Sequence, residues 1–206
     1  MEHISKVTNN LLKIVELGDK SLDWDAINQR IKEMCEILDI SDALKLILTS
    51  TGSVTKALEV LSGNNVMIKT IFQKIAPIAS EHQRLINALN LKPKDKLNFR
   101  EVWLTDNNRN YVFALSLTPI KRLDPLFEED LIKADVPIGR LLDKYNLECR
   151  REIFTISSMQ YKHLMKIGID WNDHLKQDQA VPYRVYNIIK QNQVIMVILE
   201  FFHPNI

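Results

Sequence analysis

Only two cysteines, Cys35 and Cys149, occur in the 206 residues. They fall in stretches that read as helix or strand, so neither a disulfide framework nor a cysteine zinc site is supported, and a reducing cytoplasm fits. Long apolar runs are missing as well. The opening stretch, MEHISKVTNNLLKIVELGDK, lacks the apolar segment of a signal peptide, and the most apolar stretch, Val194 to Leu199, is far too short to span a bilayer. The expectation is a protein that stays soluble in the cytoplasm, with no membrane span. Lysine and arginine total 27 against 26 aspartates and glutamates and form no run that would make a nucleic-acid face. The five histidines, His3, His82, His163, His174 and His203, include no pair at metal-ligand spacing, and neither HExxH nor a P-loop occurs. No metal, nucleotide or nucleic-acid partner is therefore expected. Repeats and low-complexity linkers are also absent.

What is present is the composition of an ordinary folded protein: apolar residues at 46% and charged residues at 26% exclude disordered and fibrous classes. A chain of this length buries one good core, which makes a single domain with a short helical extension the economical reading. Up to about Ile40 the apolar residues recur at helical spacing: Leu11, Leu12 and Val15, then Leu22, Ile27, Ile31, Met34, Cys35 and Leu38. Two amphipathic helices follow from this. A third carries Leu44 and Leu48, and a fourth starts near Thr51 or Ser53 and stops at Gly63. From Val66 the texture changes to runs rich in Val, Ile and aromatics, read as strands at 66–75, 97–105, 111–118, 150–157, 183–190 and 193–202. Hairpin turns are expected at Asp106-Asn107-Asn108 and at Gln191-Asn192. Asp124-Pro125 and Pro137 each start a short helix, and a last helix is expected near 158–166, closed by Gly168. Helices followed by mostly adjacent strands make an α+β domain on one antiparallel sheet.

Three places invite chemistry. In the last strand, QVIMVILEFFHP, Glu200 interrupts an apolar run, and alternation groups it with Val194, Met196, Ile198 and Phe202. A strand apolar on both faces is usually central, so Glu200 is either buried and in need of a partner or a protonated state, or the strand frays and it meets solvent. A buried acid at a cavity is a natural general acid or hydrogen-bond donor. In LNFREVWL, Arg100 shares a face with Val102 and Leu104; its planar fork can hold a carboxylate, or it pairs with Glu101 or sits as an edge charge in water. The segment ADVPIGRLLDKY combines a helix-starting Pro137 with Gly139, which either lets backbone approach a ligand or only shapes a turn. Asp170, Asp173 and Asp178 around Trp171 read as a solvated turn without a chemical role.

In order and at compatible spacing, GSVTKAL, FREVWL, SLTPIKRL, PIGRLL, CRREI and ILEFFHP resemble the chorismate lyase family, particularly its longer archaeal and plastid-type branch. The resemblance covers residues 45 to 204, leaving 1–44 as a helical N-terminal extension of one domain, 1–206. It implies the chorismate lyase-like fold: a single antiparallel sheet with helices packed on one side and an internal ligand cavity. It implies cofactor-independent removal of pyruvate from chorismate, leaving 4-hydroxybenzoate that feeds quinone or pterin-type coenzyme biosynthesis. Carried over by position, Arg100 would hold the ring carboxylate and Glu200 would face the oxygen at ring position 4 and donate or relay a proton. Val54 and Ile138 would contact the ligand through backbone, and Arg151 would stand near the site, with a slip onto Arg150 left open. Ala114 stands where bacterial members have a glycine near the product. The N-terminal helices would serve as lid or as contact in a homodimer. Two rival functions share these features: a non-catalytic ligand sensor of the same fold, and a lyase for another para-substituted benzoate precursor. Sensors of this fold carry a winged-helix module for which the first 45 residues look too short and too evenly charged.

Overall fold

A computed structural model describes residues 4–15, 20–92, 95–106, 108–133 and 136–206. His3, Asn107, Ala134 and Asp135, named above, lie outside the described residues. Within them the chain runs α1 (Lys6–Ile14), α2 (Trp24–Ile37), α3 (Asp42–Thr49), α4 (Val54–Ser62), β1 (Met67–Pro77), α5 (Gln83–Ala88), β2 (Lys96–Thr105), β3 (Asn110–Pro119), α6 (Pro125–Lys133), α7 (Ile138–Lys144), β4 (Arg150–Gln160), α8 (Tyr161–Ile167), β5 (Ala180–Lys190) and β6 (Gln193–Phe202). The strands form one antiparallel sheet in the order β1-β2-β3-β6-β5-β4. The class is α+β, as the element pattern predicts.

Local chemistry sets most helix ends. Ser5, Asp23, Ser41 and Ser53 each accept a hydrogen bond from a backbone N–H three residues on, capping the first four helices. Ser53, rather than Thr51, is the cap of α4. Gly63 (φ 69°) and Gly168 (φ 102°) close α4 and α8 in the left-handed region that glycine adopts without strain. At the β5–β6 hairpin, Gln191 (φ 49°) and Asn192 (φ 61°) both occupy that region, as a type I′ turn requires. At the β2–β3 hairpin the Asp106 carboxylate accepts from the N–H groups of Asn108 and Arg109.

Two core layers cover the sheet, one on each face. On the first face Met34 of α2, Leu44 and Leu48 of α3, Leu58 of α4, Phe127 and Leu131 of α6 and Leu141 of α7 pack against Val102, Val112, Ile188 and Met196. On the second, Leu11 of α1, Leu85 of α5 and Leu164 of α8 pack against Phe99, Trp103, Phe113, Val197 and Phe201. The expectation of helices on one side is thereby corrected. Strands such as β3 and β5 are buried along nearly their whole length, so both faces need covering.

Other readings shift too. α5 was not expected: it is short, lacks a side-chain cap, and is held by Leu85 and Leu89 in the second core. The helix placed at 158–166 begins at Tyr161, because Ser157, Ser158 and Met159 stay in the ladder opposite Tyr183, Pro182 and Val181. Val194 does not share the Glu200 face. A bulge in β6 takes up Ile195 between the pairs Ile189–Val194 and Ile188–Met196, and turns Val194 to the second core.

Candidate active site

Glu200 lies on a fully paired strand between β3 and β5 and is 5% exposed, so the fraying alternative is excluded. Burying a carboxylate requires partners, and both oxygens have one: Oε2 accepts from Arg184 Nε at 2.8 Å, and Oε1 accepts from the Tyr186 hydroxyl at 3.1 Å. Burial, and then the charge on Glu200, push the Tyr186 hydroxyl well above the ordinary phenol range, so it remains a donor. The need for a partner is met by an ion pair with Arg184 and the hydrogen bond from Tyr186.

Arg100 is 2% exposed and points to the first face with Val102 and Leu104. Both terminal nitrogens donate to the Val136 carbonyl at 3.3 Å, one residue before Pro137, which caps α7. It makes no pair with Glu101. That neighbour points to the opposite face, where it accepts from the Thr8 N–H at 3.0 Å and from the Ser5 and Thr8 hydroxyls, docking α1.

The register places these groups in two rows across the sheet. Arg100, Ser116, Ile198 and Tyr186 form one; Val102, Ala114, Glu200 and Arg184 form the next. Strands spaced about 4.8 Å apart with a rise of about 3.4 Å per residue put the Cα atoms of Arg100 and Glu200 roughly 12 Å apart. Between them lies a cavity lined by both, walled by Val102, Leu104, Ala114 and Ile198, and roofed by the first residues of α4 (Val54, Thr55) and of α7 (Ile138, Gly139). It offers about 50 Å³ to the centres of water molecules, several times what one ordered water needs. The first N–H groups of a helix have no intrahelical partner, so the starts of α4 and α7 bring backbone donors to its rim. Gly139 is where the two helices meet: a Cβ there would stand 2.8 Å from Ser53 Oγ. The close approach allowed by this glycine is thus to a helix cap.

Val54, Arg100, Ala114, Ile138, Arg151 and Glu200 all line this one cavity. For the arginine pair in β4, alternation decides. Arg151 faces the cavity and donates to the Thr51 carbonyl at 2.8 Å, whereas Arg150 turns outward to Glu152 at 2.9 Å and Asn192 at 3.1 Å. Residues not anticipated are Arg184 and Tyr186, with Ser116 beside them. The alternation of polar and apolar residues in YRVY was the available signal. The acidic loop is structural: Asp170 accepts from the Tyr161 hydroxyl and Asp173 from His203 Nε2 at 3.1 Å. Among the described residues no three His, Cys, Asp or Glu side chains gather as a metal site, and no helix is long and apolar enough to cross a membrane.

A buried guanidinium and a buried, paired carboxylate thus line one small, mostly apolar cavity. The chain belongs to the Rv2949c-like chorismate pyruvate-lyase family, whose description matches residues 48–206. A candidate lyase of Methanocaldococcus jannaschii, MJ0807, is 34% identical over 181 residues, 85% of this chain and 86% of that protein. Among solved structures, the effector domain of PhnF from Mycobacterium smegmatis superposes with a TM-score of 0.54 at 13% identity, over 75% of this chain and 90% of that one. A GntR-family regulator from Bacillus cereus gives 0.51 at 10% identity, over 68% and 92%. These likenesses are of fold.

Proposed function

We propose that this chain removes pyruvate from chorismate and releases 4-hydroxybenzoate without a cofactor. The observation that carries the reading is the convergence of buried Arg100 and buried Glu200 on one cavity, from rows of the sheet that set their Cα atoms roughly 12 Å apart. Arg100 holds the ring carboxylate through its planar fork. Glu200, its oxygens fixed as acceptors, takes the hydrogen bond of the hydroxyl on ring carbon 4 and relays the proton that this carbon loses. The bond from the adjacent ring carbon to the enolpyruvyl oxygen breaks, the ring becomes aromatic, and the departing enolate takes up a proton to become pyruvate. Aromatisation supplies the driving force, so the cavity has only to orient the ring, exclude water and stabilise the departing charge. Arg151, which also lines the cavity, is assigned to the carboxylate of the leaving group.

The test is incubation of the purified protein with chorismate, following pyruvate and 4-hydroxybenzoate together. Equal release of both, saturable in chorismate, is expected. Tight 4-hydroxybenzoate binding without turnover would replace this reading by the ligand-sensing one. Turnover of a related enolpyruvyl acid in preference to chorismate would reassign the substrate within the same chemistry.

A further inference from the structure

Arg184 is 0% exposed and lies in a central strand, directly across the ladder from Glu200. Its Nε–H holds Glu200 Oε2 at 2.8 Å. Its Nη1 donates to the carbonyls of Ile47 at 2.6 Å, Leu48 at 3.2 Å and Ser50 at 2.7 Å. Those carbonyls end α3 and begin the short link to Ser53 and Val54, which form the cavity roof. The guanidinium is clamped between the Tyr186 ring at 4.8 Å and the Phe202 ring at 5.6 Å. One planar cation therefore touches the carboxylate on the cavity floor and the segment that carries its roof. Nη2, sealed from water, has no hydrogen-bond partner among the described residues. A purely structural position would favour an apolar side chain over a buried cation with idle donors.

We propose that Arg184 is a positioning residue that couples the charge on Glu200 to the seating of segment 47–55 over the cavity. While Glu200 is a carboxylate, Arg184 is neutralised where it lies and its other edge stays on the three carbonyls. Removing that charge leaves a buried cation without its counter-ion, and the guanidinium is drawn toward water with the segment it holds. Lysine cannot replace it, because a single ammonium cannot reach the carboxylate and the carbonyls with a fixed fork. The coupling deepens the lyase reading, since the state of the proton-relaying group would then set how firmly the cavity is closed.

Backbone hydrogen exchange over 45–56, with and without 4-hydroxybenzoate, tests this without needing turnover. Arg184→Met and Glu200→Gln should each raise exchange there on the order of tenfold or more, while the β2–β3 ladder stays protected. Arg184→Lys should give a smaller rise and, in a chorismate assay, lower kcat more than it weakens 4-hydroxybenzoate binding. The double variant, Arg184→Met with Glu200→Gln, leaves no unpaired charge, and its exchange should fall short of the product of the two single effects; if Arg184→Met alone fails to fold, Glu200→Gln by itself carries the test. Unchanged exchange in Glu200→Gln, or strictly multiplicative effects in the double variant, would overturn the coupling. A protein inactive on chorismate that still shows these exchange changes would defeat the lyase reading and leave the coupling standing.

Discussion

Two carboxylates are buried in this sheet, one on each face, and they serve different ends. Among the described residues Glu101 meets only neutral donors, the hydroxyls of Ser5 and Thr8 and one helix N–H, all from the start of α1. Its negative charge lies at the positive end of that helix, and it does not line the cavity that Glu200 lines. Glu200 meets a guanidinium and a phenol on its far side and a cavity on its near side. Burial of an acid is therefore not the mark of a site. What distinguishes Glu200 is that its partners fix it while leaving an approach for a ligand.

The same change at both positions should separate the two roles, and the largest effect is expected at Glu200. Glu200→Gln should fold and bind 4-hydroxybenzoate while chorismate turnover falls on the order of 10²–10⁴-fold, the usual worth of positioned proton transfer. Turnover within a few-fold of the parent would reduce Glu200 to an orienting group. Next comes the opposite end of the cavity: Arg100→Ala should weaken 4-hydroxybenzoate binding by about 2–5 kcal/mol, the cost of truncating a buried charge contact. Near-normal affinity by calorimetry would remove the anchor, and lysine should rescue only in part.

On the other face the expected effect is on stability alone. Glu101→Ala strands the Ser5 and Thr8 donors and should lower the unfolding free energy by about 1–3 kcal/mol for each one left without water, with turnover unchanged. A denaturation midpoint equal to that of the parent, or a loss of activity, would erase the contrast between the two acids.

The smallest effect is a pH dependence on that same face. Burial, then the charge of Arg109, lowers the His203 pKa from 6.5, although Asp173 pulls the other way. Nδ1 accepts from the Asn205 N–H at 3.1 Å, so the neutral ring carries its proton on Nε2 toward Asp173. A folded pKa below the unfolded one means that the unfolded chain binds the extra proton first. This contribution to stability is present above pH 6.5 and is lost as pH falls below it. Comparing midpoints of the parent and His203→Gln between pH 8 and pH 5 should show a shallower acid slope in the variant. Parallel slopes would show that His203 titrates alike in both states.

Much of this was written in local sequence. Side-chain caps at Ser5, Asp23, Ser41 and Ser53, left-handed glycines at 63 and 168, and a two-residue hairpin at Gln191-Asn192 are short-range devices, and they placed the elements they punctuate. Alternation alone sends Arg100 and Glu101 to opposite faces and makes Glu200 conspicuous on its strand. The partner of Glu200 is another matter. Counting back from the tight hairpin, where Lys190 faces Gln193, sets Arg184 opposite Leu199, with its side chain on the wrong face for Glu200. The extra residue at Ile195 moves the ladder by one, and Arg184 then stands directly opposite Glu200. That bulge seats Ile195 and Met196 together in the first core while Val194 turns to the second. No neighbour in sequence requires it; the packing of two layers on a sheet buried on both faces does, and α5 and the meeting of α4 and α7 at Gly139 follow from the same three-dimensional fit.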